Sequence, residues 1–289
     1  MTLDSLYRQA AQATAAGTKS FYFASRFFPP PLARSAHAVY WFCRYTDDLV
    51  DECATPDEGR RNLESWSAQL DASLAGHEPS HPVLRVFLDT VHRHAIPHEY
   101  PRELIEGMRM DCNNTRYPDF ASLRLFCYRV ASVVGLMMSH VIGFPSAQRE
   151  LVLARATSLG IAMQLTNILR DIGEDLDRGR IYLPDEDLAR FSYTEADLRA
   201  RTRNAAFREL MRFEAARARA FYEEANPGIA LLAPQGRFAV RIASDVYREI
   251  LARIESSDYD VFAQRARVPA ARKYWITARH LASRAVALG

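Results

Sequence analysis

A chain of 289 residues, 48% hydrophobic and 25% charged, can bury a substantial core as one large domain or two ordinary ones. Its net charge of +2 gives no electrostatic case for binding nucleic acid. Its four cysteines, Cys43, Cys53, Cys112 and Cys127, have neither disulfide-framework nor C-x-x-C spacing, which fits a reducing compartment and a role as small apolar filler in helices.

Leu3 to Ala16 predicts a short amphipathic helix ending before Gly17. A polar, Ala-rich start of this kind is not a signal peptide, and no uninterrupted apolar run approaches the ~18 residues of a membrane span. The expectation is a soluble, cytoplasmic protein that could sit peripherally on the inner face of a membrane. Thr18 to Pro31 is rich in hydroxyls and aromatics and closes on three prolines. Thr18, Lys19 and Ser20 could bond a phosphate while the aromatics line a cavity, or all could be caps and core.

Further helices are predicted from Leu32 to Cys53, from Asp57 to Leu74 with Trp66 inward, from His81 to His94 and from His98 to Asp111. His92, His94 and His98 lack metal-motif spacing and read as surface or capping residues. Gly107 to Tyr117 ends the last of these in a polar turn. Phe120 to Gly143 reads as one long apolar helix, with Ala131, Ser132 and Gly135 on a face that either admits a neighbouring helix or leaves room for a ligand. A mostly apolar segment from Leu151 to Met163 leads into a further helix through Gln164 to Asp175. After it come an Arg- and Gly-containing loop, Asp177 to Tyr182, and helices at Thr194 to Ala225, Gln235 to Ser256 and Val268 to Ala287, with breaks at Asn226-Pro-Gly and Ser257-Asp-Tyr-Asp. No alternating β pattern, internal repeat or linker interrupts them, so the whole of 1–289 is expected to form one all-α domain.

Two stretches carry the chemistry. In Gln164-Leu-Thr-Asn-Ile-Leu-Arg-Asp-Ile-Gly-Glu-Asp175, the residues Asn167, Asp171 and Asp175 recur every four positions, forming one helical row about 12 Å long at ~1.5 Å per residue, with Gln164 a turn earlier. In Tyr40-Trp-Phe-Cys-Arg-Tyr-Thr-Asp-Asp-Leu-Val-Asp51, Asp47 and Asp51 share a stripe with Arg44 and Tyr40. A lone D-x-x-x-D is usually a solvated helix face. Two such rows on largely apolar helices need a cation between them, and oxygen ligands with open positions suit Mg²⁺, which prefers phosphate co-ligands. Arg178 and Arg180, just past the second row, could close over a diphosphate.

Tyr40-x-x-x-Arg44-x-x-Asp47-Asp48-x-x-Asp51, Gln164-x-x-Asn167-x-x-Arg170-Asp171-x-x-Glu174-Asp175 and Gly179-Arg-Ile-Tyr-Leu-Pro184 resemble the motifs of the squalene/phytoene synthase family. The likeness runs from Lys19-Ser-Phe to Tyr247 and on to Tyr259-Asp-Val-Phe and Arg265-Ala-Arg-Val-Pro269. It implies an all-α isoprenoid-synthase bundle around a central cavity, joining two prenyl diphosphates head to head (1′-1) through a cyclopropylcarbinyl diphosphate. By motif position it implies that Asp47, Asp48, Asp51, Asn167, Asp171 and Asp175 hold Mg²⁺. Arg44, Gln164, Arg170, Arg180, Tyr247 and Arg265 would meet the diphosphate or its leaving group, with Ser20 and Phe21 in a flap near the substrate. Such ionisation calls for charge neutralisation at the leaving group and a dry apolar cavity, here expected to involve Phe21, Val130, Val134, Met137 and Met138.

One departure stands out. Where the family usually has Tyr-Cys-x-x-Val-Ala-Gly, this chain has Phe126-Cys-Tyr-Arg-Val-Ala-Ser132, so Tyr128 or Tyr40, or a diphosphate-derived base, would have to do the work of the missing hydroxyl. The Arg129-Val-Ala-Ser segment resembles hopanoid-pathway members and favours farnesyl diphosphate, giving squalene or dehydrosqualene. Geranylgeranyl diphosphate, giving phytoene, is the alternative. NADPH would be needed only for squalene release, no partner protein is indicated, and no C-terminal anchor is expected after Arg284. Two rivals are a head-to-tail prenyltransferase or cyclase, which the Gly179 loop and Tyr259 tail argue against, and an inactive scaffold, which would have lost carboxylates.

Overall fold

The computed structural model describes residues 2–113 and 116–286, with side chains to 282. Among the described residues every regular element is helical. Thr2 caps α1 (Leu3–Gly17), and Thr18 ends α1 and caps α2 (Lys19–Ser25), its hydroxyl accepting from the Phe21 N–H. α3 (Pro30–Asp51), α4 (Pro56–Leu74) and α5 (Pro82–His94) each begin on proline, whose fixed φ suits a first turn and whose missing N–H costs nothing there. α6 (Glu99–Asn113) and α7 (Phe120–Cys127) follow, the latter capped by Asp119.

The expected single helix from Phe120 to Gly143 is interrupted. α7 passes through a π-helical turn, Tyr128–Ser132, into α8 (Val133–Ile142). A π turn inserts residues without breaking the axis, so it rotates the downstream face. α9 (Arg149–Asp177) is the central helix. The predicted helix from Thr194 to Ala225 is in fact two: after α10 (Asp185–Arg190), α11 (Glu195–Arg199) stops where Arg201 takes φ 53°, and Asn204 caps α12 (Ala205–Ile229). Nor does α12 break at Asn226. It runs on through Pro227, because Gly228 lets its last turn close on Arg155 of α9, where a Cβ would lie 2.2 Å from the Arg155 Cβ. α13 (Pro234–Ser256) and α14 (Ala270–Val286) complete the chain, and the expected end of α14 at Ala287 lies outside the described residues.

Two cores form. One is built on α9, α12 and α13, including Ile161, Leu165, Phe207, Tyr222 and Leu251. The other lies among α3 to α6 and α8, including Phe42, Trp66, Phe87, Leu104 and Met137. Trp66 points inward as expected, and its Nε1 donates to Thr46 Oγ1 at 2.9 Å. Two helical stretches, Phe120–Ile142 and Ser146–Asp177, have the length and composition of membrane spans. Both are built into these cores and the cavity wall between them.

Candidate active site

Between the two cores lies an apolar cavity of about 310 Å³. Its walls are helix faces: Phe21 and Ala24 of α2, Tyr40 of α3, Val130 to Gly135 across the π turn, Ala156 to Asn167 of α9, and Ala239 to Tyr247 of α13. Phe28, Ile142, Val152, Leu232 and Ala239 cluster at one end as a floor. Tyr40, Gln164, Asn167 and Tyr247 supply polar groups at the other. The face carrying Ala131, Ser132 and Gly135 serves both expected purposes. Ala131 and Gly135 line the cavity, whereas Ser132 is pressed on α9, where a Cβ on Gly160 would sit 2.4 Å from the Ser132 Cα. Met137 does not reach the cavity and is fully buried in the α3 to α8 core, while Phe21, Val130, Val134 and Met138 are in the lining.

The acidic rows flank the polar end. Asp51 of α3 accepts from Arg180 at 2.9 Å and from Arg178 at 2.9 Å, both just past α9. Asp171 of α9 accepts from Arg170 at 2.7 Å and from Arg265 at 2.8 Å, and Arg265 also reaches Glu174 at 3.3 Å. Arg44 pairs with Asp48 and lies 3.5 Å from Asp47. Burial, with Asp51 nearby, pushes the Asp47 carboxyl up to about 7, and burial, with Asp171 nearby, pushes Asp175 up to about 7. At these two positions burial, with the neighbouring carboxylates, outweighs the local arginines.

Two residues that the sequence reading missed tie the rows together. Asp111, at the end of α6, accepts from Arg180 at 3.2 Å and lies near enough to raise both Asp47 and Asp175. Its own carboxyl is raised by burial and partly brought back by Arg180. Tyr182 donates its hydroxyl to Asp111. The Asp111-Cys-Asn run gave no repeat that would single out a ligand, and only Tyr182's place in the Gly179-Arg-Ile-Tyr-Leu-Pro loop was a signal. Two glycines are also explained. A side chain at Gly17 would strike the Tyr40 hydroxyl at 2.4 Å, and one at Gly173 would meet the Val261 carbonyl at 2.9 Å, the crossing that brings Arg265 to Asp171.

The other expected site residues divide. Phe21 stacks on Tyr40 with centroids 5.5 Å apart, and Gln164, Asn167 and Tyr247 line the same space. Burial pushes the Tyr40 hydroxyl up to about 12, so it stands as a neutral donor. Ser20 is half-buried on α2 but outside the cavity lining. Tyr128 is also outside the lining, on the side of Glu99 and Glu103, whose charges help raise its hydroxyl after burial. Arg129 turns the same way, donating to Glu103 at 2.9 Å. Phe126 is buried between Tyr117 and Tyr182, centroids 5.4 and 5.3 Å away, so the ring next to it carries the hydroxyl that meets Asp111.

The donors are oxygens, which suits a hard divalent cation. Asn167 Oδ1 is buried with no hydrogen-bond partner, a group left wanting a donor or a cation. Among the described residues no three His, Cys, Asp or Glu side chains are gathered around one point, and Asp48, Asp51, Asp111 and Asp171 are held by guanidinium groups. A cavity of this kind, apolar along its length and rimmed by arginines and carboxylates, can hold long hydrocarbon chains with their anionic heads at the rim.

The chain is similar to known proteins along most of its length. Residues 14–272 match the family model described as squalene/phytoene synthase. A phytoene synthase of Arthrospira platensis is 44% identical over 282 residues, covering 94% of this chain and 91% of that protein. A 15-cis-phytoene synthase of Synechocystis sp. is 39% identical over 281 residues, covering 94% and 83%. The crystal structure of a dehydrosqualene synthase in complex with ligand superposes with a TM-score of 0.89 at 30% identity, covering 97% of this chain and 98% of that one. The chain belongs to the squalene/phytoene synthase family, prenyltransferases that condense prenyl diphosphates head to head.

Proposed function

We propose that the protein is a phytoene synthase, joining two geranylgeranyl diphosphates. The observation that carries this reading is the 44% identity, over 94% of the chain, to a protein named phytoene synthase. The lean toward farnesyl diphosphate rested on Arg129-Val-Ala-Ser, and Arg129 points at Glu103 instead of into the cavity. Along α9 the cavity wall runs from Val152 to Asn167, about 22 Å at ~1.5 Å per residue, a depth that suits an extended twenty-carbon chain.

Asp47, Asp48, Asp51, Asn167, Asp171 and Asp175 would hold Mg²⁺, with Asp111 added to the set by its place between the rows. Bound Mg²⁺ would neutralise the diphosphate as it departs. Arg44, Arg170, Arg180 and Arg265 are released from their carboxylates to meet the diphosphate oxygens, supplying donors where charge develops. Gln164 and Asn167 orient the head of the chain. The lining from Phe21 to Val240 excludes water from the allylic cation. Tyr40 and Tyr247 present hydroxyls to the polar end of the cavity, where the head of the chain lies. Two diphosphates and two protons leave, so no reductant is consumed and NADPH is not required.

A mixed incubation with equal farnesyl and geranylgeranyl diphosphate tests the choice. C40 hydrocarbon is expected to dominate. Predominant C30 product would instead support the farnesyl reading, which the 0.89 TM-score to a dehydrosqualene synthase favours.

A further inference from the structure

Three of the seven large apolar side chains left exposed among the described residues lie on one stretch of α14: Tyr274, Trp275 and Leu281, at 59%, 50% and 52% exposure. Lys273, Ile276 and Thr277 form the opposite, buried face of that helix. At helical spacing Tyr274 and Leu281 share a stripe, with Ala271, Ala278 and Ala282 between it and Trp275. The guanidinium groups of Arg272 and Arg279 lie 4.2 and 5.3 Å from the Trp275 ring. From Arg265 to Ala282 the chain has no acidic residue; of its cations Arg265 is held at Asp171 and Lys273 is buried, which leaves Arg267, Arg272 and Arg279. Two carboxylates of α13, Asp245 and Glu249, pair with Arg279 and Arg272 from the inner side. Outward aromatics flanked by arginines, on a helix segment that itself carries no acidic residue, are the pattern of a helix lying in the interface of an anionic bilayer.

The position of this face adds to the argument. Tyr274 meets Phe23 of α2 edge-on at 5.5 Å, and Phe27 meets Phe238 of α13 at 5.3 Å. Phe21 and Ala24, on the other side of the same seven-residue helix, line the cavity. One short helix therefore separates the cavity from the α14 surface.

We propose that the outer face of α14 docks the protein on an anionic lipid bilayer, with α2 as the wall between cavity and lipid. Docking stands on the surface itself. Its use, passing a water-insoluble hydrocarbon into lipid, rests on the proposed phytoene reading.

The test uses the full chain without substrate: flotation with phosphatidylglycerol vesicles and with phosphatidylcholine vesicles, for the wild type, Trp275→Glu and Tyr274→Ser. Thermal melts of each variant serve as folding controls. Expected are binding to phosphatidylglycerol that weakens with salt, a blue shift of tryptophan emission missing in Trp275→Glu, and at least tenfold weaker binding of both variants. No binding to phosphatidylglycerol, or equal binding by folded variants, overturns the proposal. A dimer that depends on Trp275, with no vesicle affinity, also overturns it and gives the face to a second copy. Turnover of the same variants in detergent, measured separately, reports on the substrate reading alone.

Discussion

Asp47 and Asp175 carry the clearest residue-scale consequence. Both carboxyls are raised to about 7 from an ordinary value of 3.8, so between those values the folded, metal-free chain holds more protons than the unfolded one. The stability they contribute is complete below about pH 4 and is lost as pH rises through 7. Between pH 5.5 and 8 the metal-free protein is expected to lose thermal stability and Mg²⁺ to restore it at pH 8, whereas binding at pH 6 to 7 is expected to release protons to the buffer. Melting curves with and without EDTA check this; an unchanged melting temperature across that range would remove the crowded-carboxylate account. Asp175→Asn is expected to lower turnover by about 10²- to 10³-fold, the usual cost of losing one preorganised electrostatic group, without loss of helicity. The tyrosines separate more finely. Tyr40→Phe should slow product formation at least tenfold, because its hydroxyl faces the cavity beside Phe21. Tyr128→Phe should stay within about twofold, because Tyr128 looks toward Glu99 and Glu103. Steady-state kinetics of the pair decides whether the hydroxyl missing at Phe126 is supplied inside the cavity.

At the scale of elements, the fold depends on close backbone approaches. Gly160 of α9 meets the π turn so tightly that an added Cβ would overlap Ser132 backbone atoms at 2.4 and 2.6 Å. Gly160→Ala is expected to cost about 1–3 kcal/mol by overpacking, read as a lower denaturation midpoint at unchanged slope. How much of this was legible in the sequence varied with the signal. The helices α1, α3 to α6, α9 and α13 could be read from apolar periodicity and the Gly and Pro breaks between them, whereas α2 lies in a stretch that showed only hydroxyls and aromatics. The acidic rows were legible because a four-residue repeat places side chains on one face whatever surrounds them. The π turn was not, since Tyr128 to Ser132 has no composition distinct from α-helix and arises from packing on α9. Pro227 misled for the opposite reason: its local preference to break a helix is overridden by Gly228 closing on Arg155. Asp111 and Met137 show the remaining limit. Their neighbours come from distant segments, so neither the central place of Asp111 nor the burial of Met137 away from the cavity can be read from spacing.

For the whole molecule, chain length and product are set by the cavity and its rim together. Ala239 helps close the floor, so Ala239→Leu should shorten the chain that fits and shift the kcat/KM ratio toward farnesyl diphosphate by about tenfold or more, given that a single methylene can be worth 10–200-fold. A melt of the variant separates this from simple destabilisation. The two rows, Asp111 and the four arginines are expected to act as a set, since Asp48, Asp51, Asp111 and Asp171 are each paired with a guanidinium that a metal-bound diphosphate would claim. The most direct test of that account is to incubate the purified protein with geranylgeranyl diphosphate alone, with Mg²⁺ and then with EDTA, and to determine the mass and linkage of the product. The account predicts a C40 hydrocarbon joined 1′-1, formed without NADPH and abolished by EDTA. A head-to-tail product, or a yield indifferent to EDTA, would contradict it.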